Sequence, residues 1–207
     1  MYLPSQFTAT DTRLILQLMR EHSFALLISN DADGLPFTSH LPLNVLEAGN
    51  RIWIEGHVAK ANMHHKLWAE NPKILVVFTG PHAYLSPSVY PDQARVPTWN
   101  YLAVHVHGHI ELVHEEAQKD ELLKRLIALH EPDYAQQWRS LDAQFQQKML
   151  AGIVGFRITI EKLDAKFKLN QHRVESHAAM LAAYRLGDQN AQALALWMQR
   201  LGIAGPD

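Results

Sequence analysis

The spacing of apolar residues divides the chain into short, well-marked elements. Leu14, Ile15, Leu18 and Met19 fall on one helical face behind Asp11, a suitable N-cap, so residues 11–22 predict a helix. Phe24–Ser29 is a short apolar run closed by Asn30-Asp31-Ala32-Asp33-Gly34, a hairpin turn signal. Leu35–Leu43 predicts a strand, Ala48-Gly49-Asn50 another turn, and Arg51–His57 alternates Ile52 and Ile54 against Trp53 and Glu55 as a two-faced strand does. The period then changes to that of a helix over Ala61–Glu70, stopped by Asn71-Pro72. Ile74–Thr79 predicts a buried strand, and 86–95, with its two prolines, a long irregular loop of the kind that often carries function. Further strands are predicted over Thr98–Val113 and Val154–Ile160. Helices are predicted over Glu115–His130, near Ala135–Leu150, and from Ser176 onward with a break near Gly187-Asp188.

Strands that follow one another through tight turns favour antiparallel pairing. A doubly wound parallel sheet would need a helix after nearly every strand. The pattern predicts a single α+β domain over residues 1–207, built as an antiparallel barrel or sandwich, with residues 174–207 as a C-terminal helical extension. Its 207 residues suffice for a sizeable core. The formal net charge of −2 argues against a global grip on nucleic acid, whose affinity comes largely from phosphate neutralisation. With no cysteine there is no disulfide, thiolate metal site or cysteine nucleophile. The chain shows no signal-peptide pattern and no apolar run near the roughly 18 residues that span a bilayer, so a soluble cytoplasmic protein is expected.

Five polar clusters could carry chemistry. In Thr38-Ser39-His40, alternation puts Thr38 and His40 on one strand face and Ser39 on the other. In Gly56-His57-Val58-Ala59-Lys60-Ala61-Asn62, a strand ends at glycine and Lys60 falls where a helix is predicted to begin. That arrangement is either a phosphate site or a simple connection with a solvated lysine. Gly80-Pro81-His82-Ala83-Tyr84 is the third. Trp99-Asn100-Tyr101 puts two rings on one face around an amide, suited to a planar ligand or to an interface. Lys168-Leu169-Asn170-Gln171-His172-Arg173 gathers cations and amides, as a ligand site or a solvated linker would. His105, His107 and His109 share a face, but neighbours on one strand lie roughly 7 Å apart, which strains convergence on a metal, and no metal site is expected. No hydrolase triad, Walker loop or dinucleotide fingerprint is present, and no catalytic residue is identified.

Together these clusters resemble the PaiB family, FMN-binding negative transcriptional regulators. The resemblance begins at Met1-Tyr2-Leu3-Pro4 and runs through Ser39-His40-Leu41-Pro42, Gly56–Asn62, Gly80–Pro87 and Val96–Tyr101 to Gly155-Phe156 and Lys166–Gln171. Two positions depart from the family pattern: Met63 stands where proline is usual, and Asn170-Gln171-His172-Arg173 replaces Ser-Gln-Asn-Arg. The resemblance implies an antiparallel split β-barrel of the flavin-reductase and pyridoxamine-oxidase type, with peripheral helices and a C-terminal helical extension. It implies a homodimer with FMN shared across the interface. It places Thr38, Ser39, His40 and Leu41 along the isoalloxazine ring and His57, Lys60 and Asn62 at the phosphate and ribityl chain. Trp99, Asn100, Tyr101, Lys168 and Gln171 complete the pocket, some from the other subunit. The implied function is flavin-linked transcriptional regulation, acting on DNA directly or through a partner. An FMN-dependent oxidoreductase acting on a small molecule is the alternative, and haem or metal binding a third.

Overall fold

A computed structural model describes residues 1–203; the last four residues of the expected C-terminal extension lie outside the described residues. Seven helices and seven strands follow in the order α1 (Thr12–Glu21), β1 (Phe24–Asn30), β2 (Pro36–Pro42), β3 (Asn44–Ala48), β4 (Arg51–Ala59), α2 (His64–Glu70), β5 (Lys73–Leu85), β6 (Thr98–Val113), α3 (Glu116–His130), α4 (Tyr134–Ser140), α5 (Ala143–Ala151), β7 (Ile153–Lys168), α6 (His177–Arg185) and α7 (Gln189–Arg200). They form two compact units. One comprises Met1–Leu18, Thr79–Val104 and Asp164–Asp207; the other comprises Met19–Phe78 and His105–Leu163. Strands β5, β6 and β7 contribute residues to both.

All seven strands belong to one sheet in the order β2-β1-β5-β6-β7-β4-β3. The pairings β1–β2, β1–β5, β3–β4 and β4–β7 are antiparallel, as the hairpin pattern predicts. The order has a topological consequence. β2 and β3 sit at opposite edges, yet only Leu43 separates them in sequence. One residue cannot cross a flat seven-stranded sheet, since strands are spaced roughly 4.8 Å apart. The sheet therefore curls until its edges approach, which is the split barrel. Leu43 is fully buried and its N–H donates to the Ser23 carbonyl at 2.9 Å, pinning the link.

In the second unit the barrel interior holds Leu27, Ile54, Val58, Val76, Phe78, Phe156 and Ile158, all essentially without solvent exposure. Each such side chain contributes about 1.5–3 kcal/mol by leaving water. Trp68 of α2 packs edge-on to Phe156 with centroids 5.0 Å apart. Gly56 pairs with Phe156, and a Cβ at Gly56 would stand 2.6 Å from the Phe156 ring; the glycine of the Gly56–Asn62 cluster thus serves packing. In the first unit the core is Leu102, Phe167, Leu169, Met180, Leu194, Trp197 and Met198, with Trp197 edge-on to Phe167 at 5.5 Å.

Several boundaries differ from the sequence expectation. Residues 44–47, unassigned from the sequence, belong to β3. Helix α2 begins at His64, three residues later than predicted, after a turn in which the Asn62 N–H donates to the Ala59 carbonyl at 2.8 Å. The helix predicted over 135–150 is broken at Asp142, whose carboxylate caps α5 through the N–H groups of Gln144 and Phe145. β7 runs on to Lys168, eight residues past the predicted end. Among the described residues no helix is long and apolar enough to cross a membrane.

Candidate functional site

The predicted site residues fall into two groups, one in each unit. In the second unit, Thr38 and His40 are exposed and Ser39 is buried, as alternation on β2 requires. β2 is an edge strand, so half of its backbone N–H and C=O groups face away from β1 with no ladder partner among the described residues. Ser39 is the anchor of the group. Its Oγ accepts from Asn62 Nδ2 at 3.1 Å and lies 2.9 Å from His64 Nδ1. Asn62 Oδ1 in turn accepts the backbone N–H of His64 at 3.0 Å, so one amide joins β2 to the start of α2. His64 is completely buried between Phe37 and Trp68, with ring centroids 4.7 and 4.6 Å away. Its Nε2 has no hydrogen-bond partner among the described residues, and burial pushes its pKa down to about 4.

Lys60 does not stand at a helix start. It lies on the turn after β4; its backbone N–H donates to the Gly152 carbonyl at 2.8 Å, and its carbonyl is 3.1 Å from His65 Nε2. The backbone N–H groups of Lys60, Asn62 and His64 are all engaged, so none of these three is free to meet a phosphate. What remains is the exposed Lys60 ammonium, with no ion pair among the described residues, and the half-buried ring of His57. His57 Nδ1 is buried without a partner among the described residues, and burial holds the imidazole below its ordinary pKa. Leu41 is half-buried on β2.

In the first unit, Trp99 and Tyr101 share a face of β6. Trp99 is 54% exposed beside Tyr84 and His82, and Tyr101 lies 5.3 Å from the Lys166 ammonium. Asn100 points the other way into the core, where its Nδ2 donates to Met180 Sδ at 3.2 Å. Lys168 Nζ donates to Thr98 Oγ1 at 2.5 Å and to the Trp99 carbonyl at 2.6 Å, so the end of β7 is tied to the start of β6. Burial, then the nearby Lys166 charge, lower its pKa. The Gln171 amide closes the turn after β7: it accepts the Leu169 N–H at 3.0 Å and donates to the Phe167 carbonyl. Gln171 is therefore engaged within its own unit, as is Asn100 Nδ2, whereas Asn100 Oδ1 is buried with no partner among the described residues.

The sequence reading left three participants out of the assigned site. His64 is 25 residues from Ser39, and only the inward side of Ser39 hinted at a buried partner. Asn170 holds the turn at φ 55°, a conformation asparagine tolerates better than most residues, and donates to Tyr90 Oη at 2.6 Å. Tyr90 itself belongs to the loop at 86–95, which contains a single 3-10 turn at Pro87–Val89. His105, His107 and His109 do share a half-buried face, but among the described residues no three histidines or carboxylates are grouped to hold a metal ion.

Residues 1–162 match the family model described as "Putative FMN-binding domain". The chain is 35% identical over 181 residues to the Bacillus subtilis "Protease synthase and sporulation protein PAI 2", spanning 85% of this chain and 84% of that protein. Among solved structures it is similar to the flavocytochrome Anf3 of Azotobacter vinelandii, with TM-score 0.61 and 16% identity, covering 79% of this chain and 70% of that one. It is likewise similar to an FAD and haem binding protein of Mycobacterium smegmatis, with TM-score 0.57 and 15% identity, covering 78% and 73%. At these identities the structural likeness speaks for the fold.

Proposed function

Because the chain belongs to the FMN_bind_2 family, whose model describes an FMN-binding domain, we propose that it binds FMN and acts in flavin-linked regulation of the PaiB kind. The observation that carries the reading is the polar group around the β2 edge. An open edge offers backbone donors and acceptors to the polar rim of an isoalloxazine ring, and Thr38 and His40 are exposed along it. Ser39 is buried behind them and fixed by Asn62 and His64, so the strand is held in place before any ligand arrives. Among the described residues Lys60 has no counter-charge, which a terminal phosphate would supply. A terminal monophosphate can reach the single free ammonium of Lys60, which favours FMN over FAD. Bound FMN would supply reversible electron and hydride acceptance; the residues of this chain bind and orient it.

Thr38, Ser39, His40 and Leu41 are assigned to the ring, and His57, Lys60 and Asn62 to the phosphate and ribityl chain. Trp99, Tyr101 and Lys168 are assigned to completing the pocket, in part from the second subunit of a homodimer. Asn100 and Gln171 support that wall. The regulatory role, exerted on DNA directly or through a partner, is supported by the relationship to PAI 2. The direct test is flavin titration of the apo-protein, FMN against FAD, followed by quenching of flavin fluorescence. Lys60→Ala should weaken FMN roughly ten- to a hundredfold, the worth of one charge-assisted contact of about 1.5–3 kcal/mol. Unchanged FMN affinity in that variant refutes the phosphate assignment, and tighter binding of FAD refutes the choice of cofactor. Failure to retard any promoter fragment at physiological salt counts against direct DNA binding.

A further inference from the structure

The first unit contains a cavity of about 460 Å³ that shares only Lys168 with the flavin reading. Its polar wall is formed by Arg95, Lys168, His172 and Arg173, and its ring wall by Phe7 and Tyr90; no carboxylate lines it among the described residues. The three permanent cations are only partly answered. Arg95 binds Asp92 at 2.7 Å, and Glu175 stands 3.8 Å from Arg95 and 4.0 Å from Arg173. Among the described residues no carboxylate pairs with Lys168, whose recorded partners are a hydroxyl and a carbonyl. Burial and the Lys166 charge make its protonated form less favourable than usual, so a nearby anion would stabilise it.

The neutral polar groups on the wall are also biased. Thr98 Oγ1 already accepts from Lys168, and Tyr90 Oη already accepts from Asn170, so each hydroxyl keeps its own proton to donate. The cavity thus offers donors and cations. The rings add a second preference: His172 meets Phe7 edge-on at 5.7 Å, and Arg95 lies over Tyr90 at 5.4 Å. A bare inorganic anion would leave most of this volume empty, whereas small-molecule pockets start at roughly 300 Å³.

We propose that this cavity binds a small organic anion other than flavin, a carboxylate or phosphate monoester attached to a planar or apolar body. The anionic head lies among Lys168, Arg95 and Arg173, and the body against Tyr90 and Phe7. The site would give a flavin regulator a second, chemically distinct input.

The test is calorimetric titration of the full chain in phosphate-free buffer with phenyl phosphate, benzoate and inorganic phosphate. Saturable binding of phenyl phosphate or benzoate is expected, at least tenfold tighter than inorganic phosphate. Arg173→Gln and Arg95→Gln should each weaken it at least tenfold and leave FMN affinity unchanged; Lys168, shared with the flavin reading, is left intact. On the wild type, the His172 ring resonances should move on saturation and their apparent pKa should rise. Absent saturable binding, affinity equal in wild type and both variants, unmoved His172 signals, or displacement of the probe by FMN would each overturn the proposal. Loss of FMN binding alone would overturn only the flavin reading.

Discussion

His64 makes the stability of this protein depend on pH in a calculable way. The perturbation is acidification from pH 7 to 4.5, compared between wild type and His64→Gln, whose amide can still meet Ser39 but cannot titrate. In the folded chain the ring is fully buried between Phe37 and Trp68, with Nε2 unpartnered, and its pKa falls from 6.5 to about 4. The unfolded chain takes up a proton as pH falls through 6.5, whereas the folded chain does so only near 4. Folding stability is unaffected by this group above pH 7, declines between 6.5 and 4, and levels off below. Proton linkage over that interval gives a loss of roughly 2.5 kcal/mol at pH 4.5 relative to pH 7. His22, His57 and His172 are also lowered, each first by burial, and act in the same direction. The variant is therefore needed to isolate His64. Urea unfolding at pH 7, 5.5 and 4.5 should show the wild type losing about 2–3 kcal/mol more than His64→Gln. Parallel pH dependence in the two proteins would refute the claim that a buried neutral imidazole holds β2 to α2.

Two further substitutions test the packing around the barrel. Glu55 is buried and takes Arg157 at 2.7 Å, Arg125 at 2.8 Å and the Trp53 indole N–H at 3.1 Å. Glu55→Gln should cost about 1–3 kcal/mol in urea unfolding, below the roughly 3–5 kcal/mol of a fully buried broken pair because both arginines are partly exposed; a loss under about 0.5 kcal/mol would show the network to be neutral. At Gly108 an added Cβ would lie 2.4 Å from the Thr159 carbonyl oxygen and 2.8 Å from Ile158 Cγ2, so Gly108→Ala should cost at least about 2 kcal/mol and lower Tm by about 4–8 °C; an unchanged Tm would mean that β7 can shift aside.

Where local pattern and tertiary need agree, the elements were legible. β6 runs over Thr98–Val113 as predicted because its alternation is unbroken, and α1 begins at Thr12 behind Asp11, whose carboxylate takes the Leu14 N–H. The misses have physical causes. β7 appeared to end at Ile160 because Glu161–Lys168 is rich in charge. In the structure Asp164 and Lys166 are buried, with Asp164 bound to the terminal ammonium at 3.1 Å and Lys166 donating to the Tyr2 carbonyl at 3.2 Å. Nothing in 161–168 alone reveals partners at residues 1 and 2. β3 went unassigned because it follows β2 after a one-residue connector that leaves no turn signal. At the candidate site, residue types were legible and their duties were not. Thr38 and His40 face outward as read. The inward pairing of Ser39 with His64, the turn-closing role of Gln171 and the buried position of Asn100 depend on contacts the local sequence does not encode.

Leu43 also governs how the chain can fold as it is synthesised. The first sixty residues can form two local hairpins, β1–β2 and β3–β4, tethered by that single residue, but β2 and β3 cannot zip together. The inner flank of β4 must wait for β7, where residue 57 pairs with residue 155. A nascent chain therefore carries an unpaired flank until most of its length has emerged, and contacts so distant in sequence close slowly. Truncation before residue 153 would leave that flank permanently open, a template for pairing between copies.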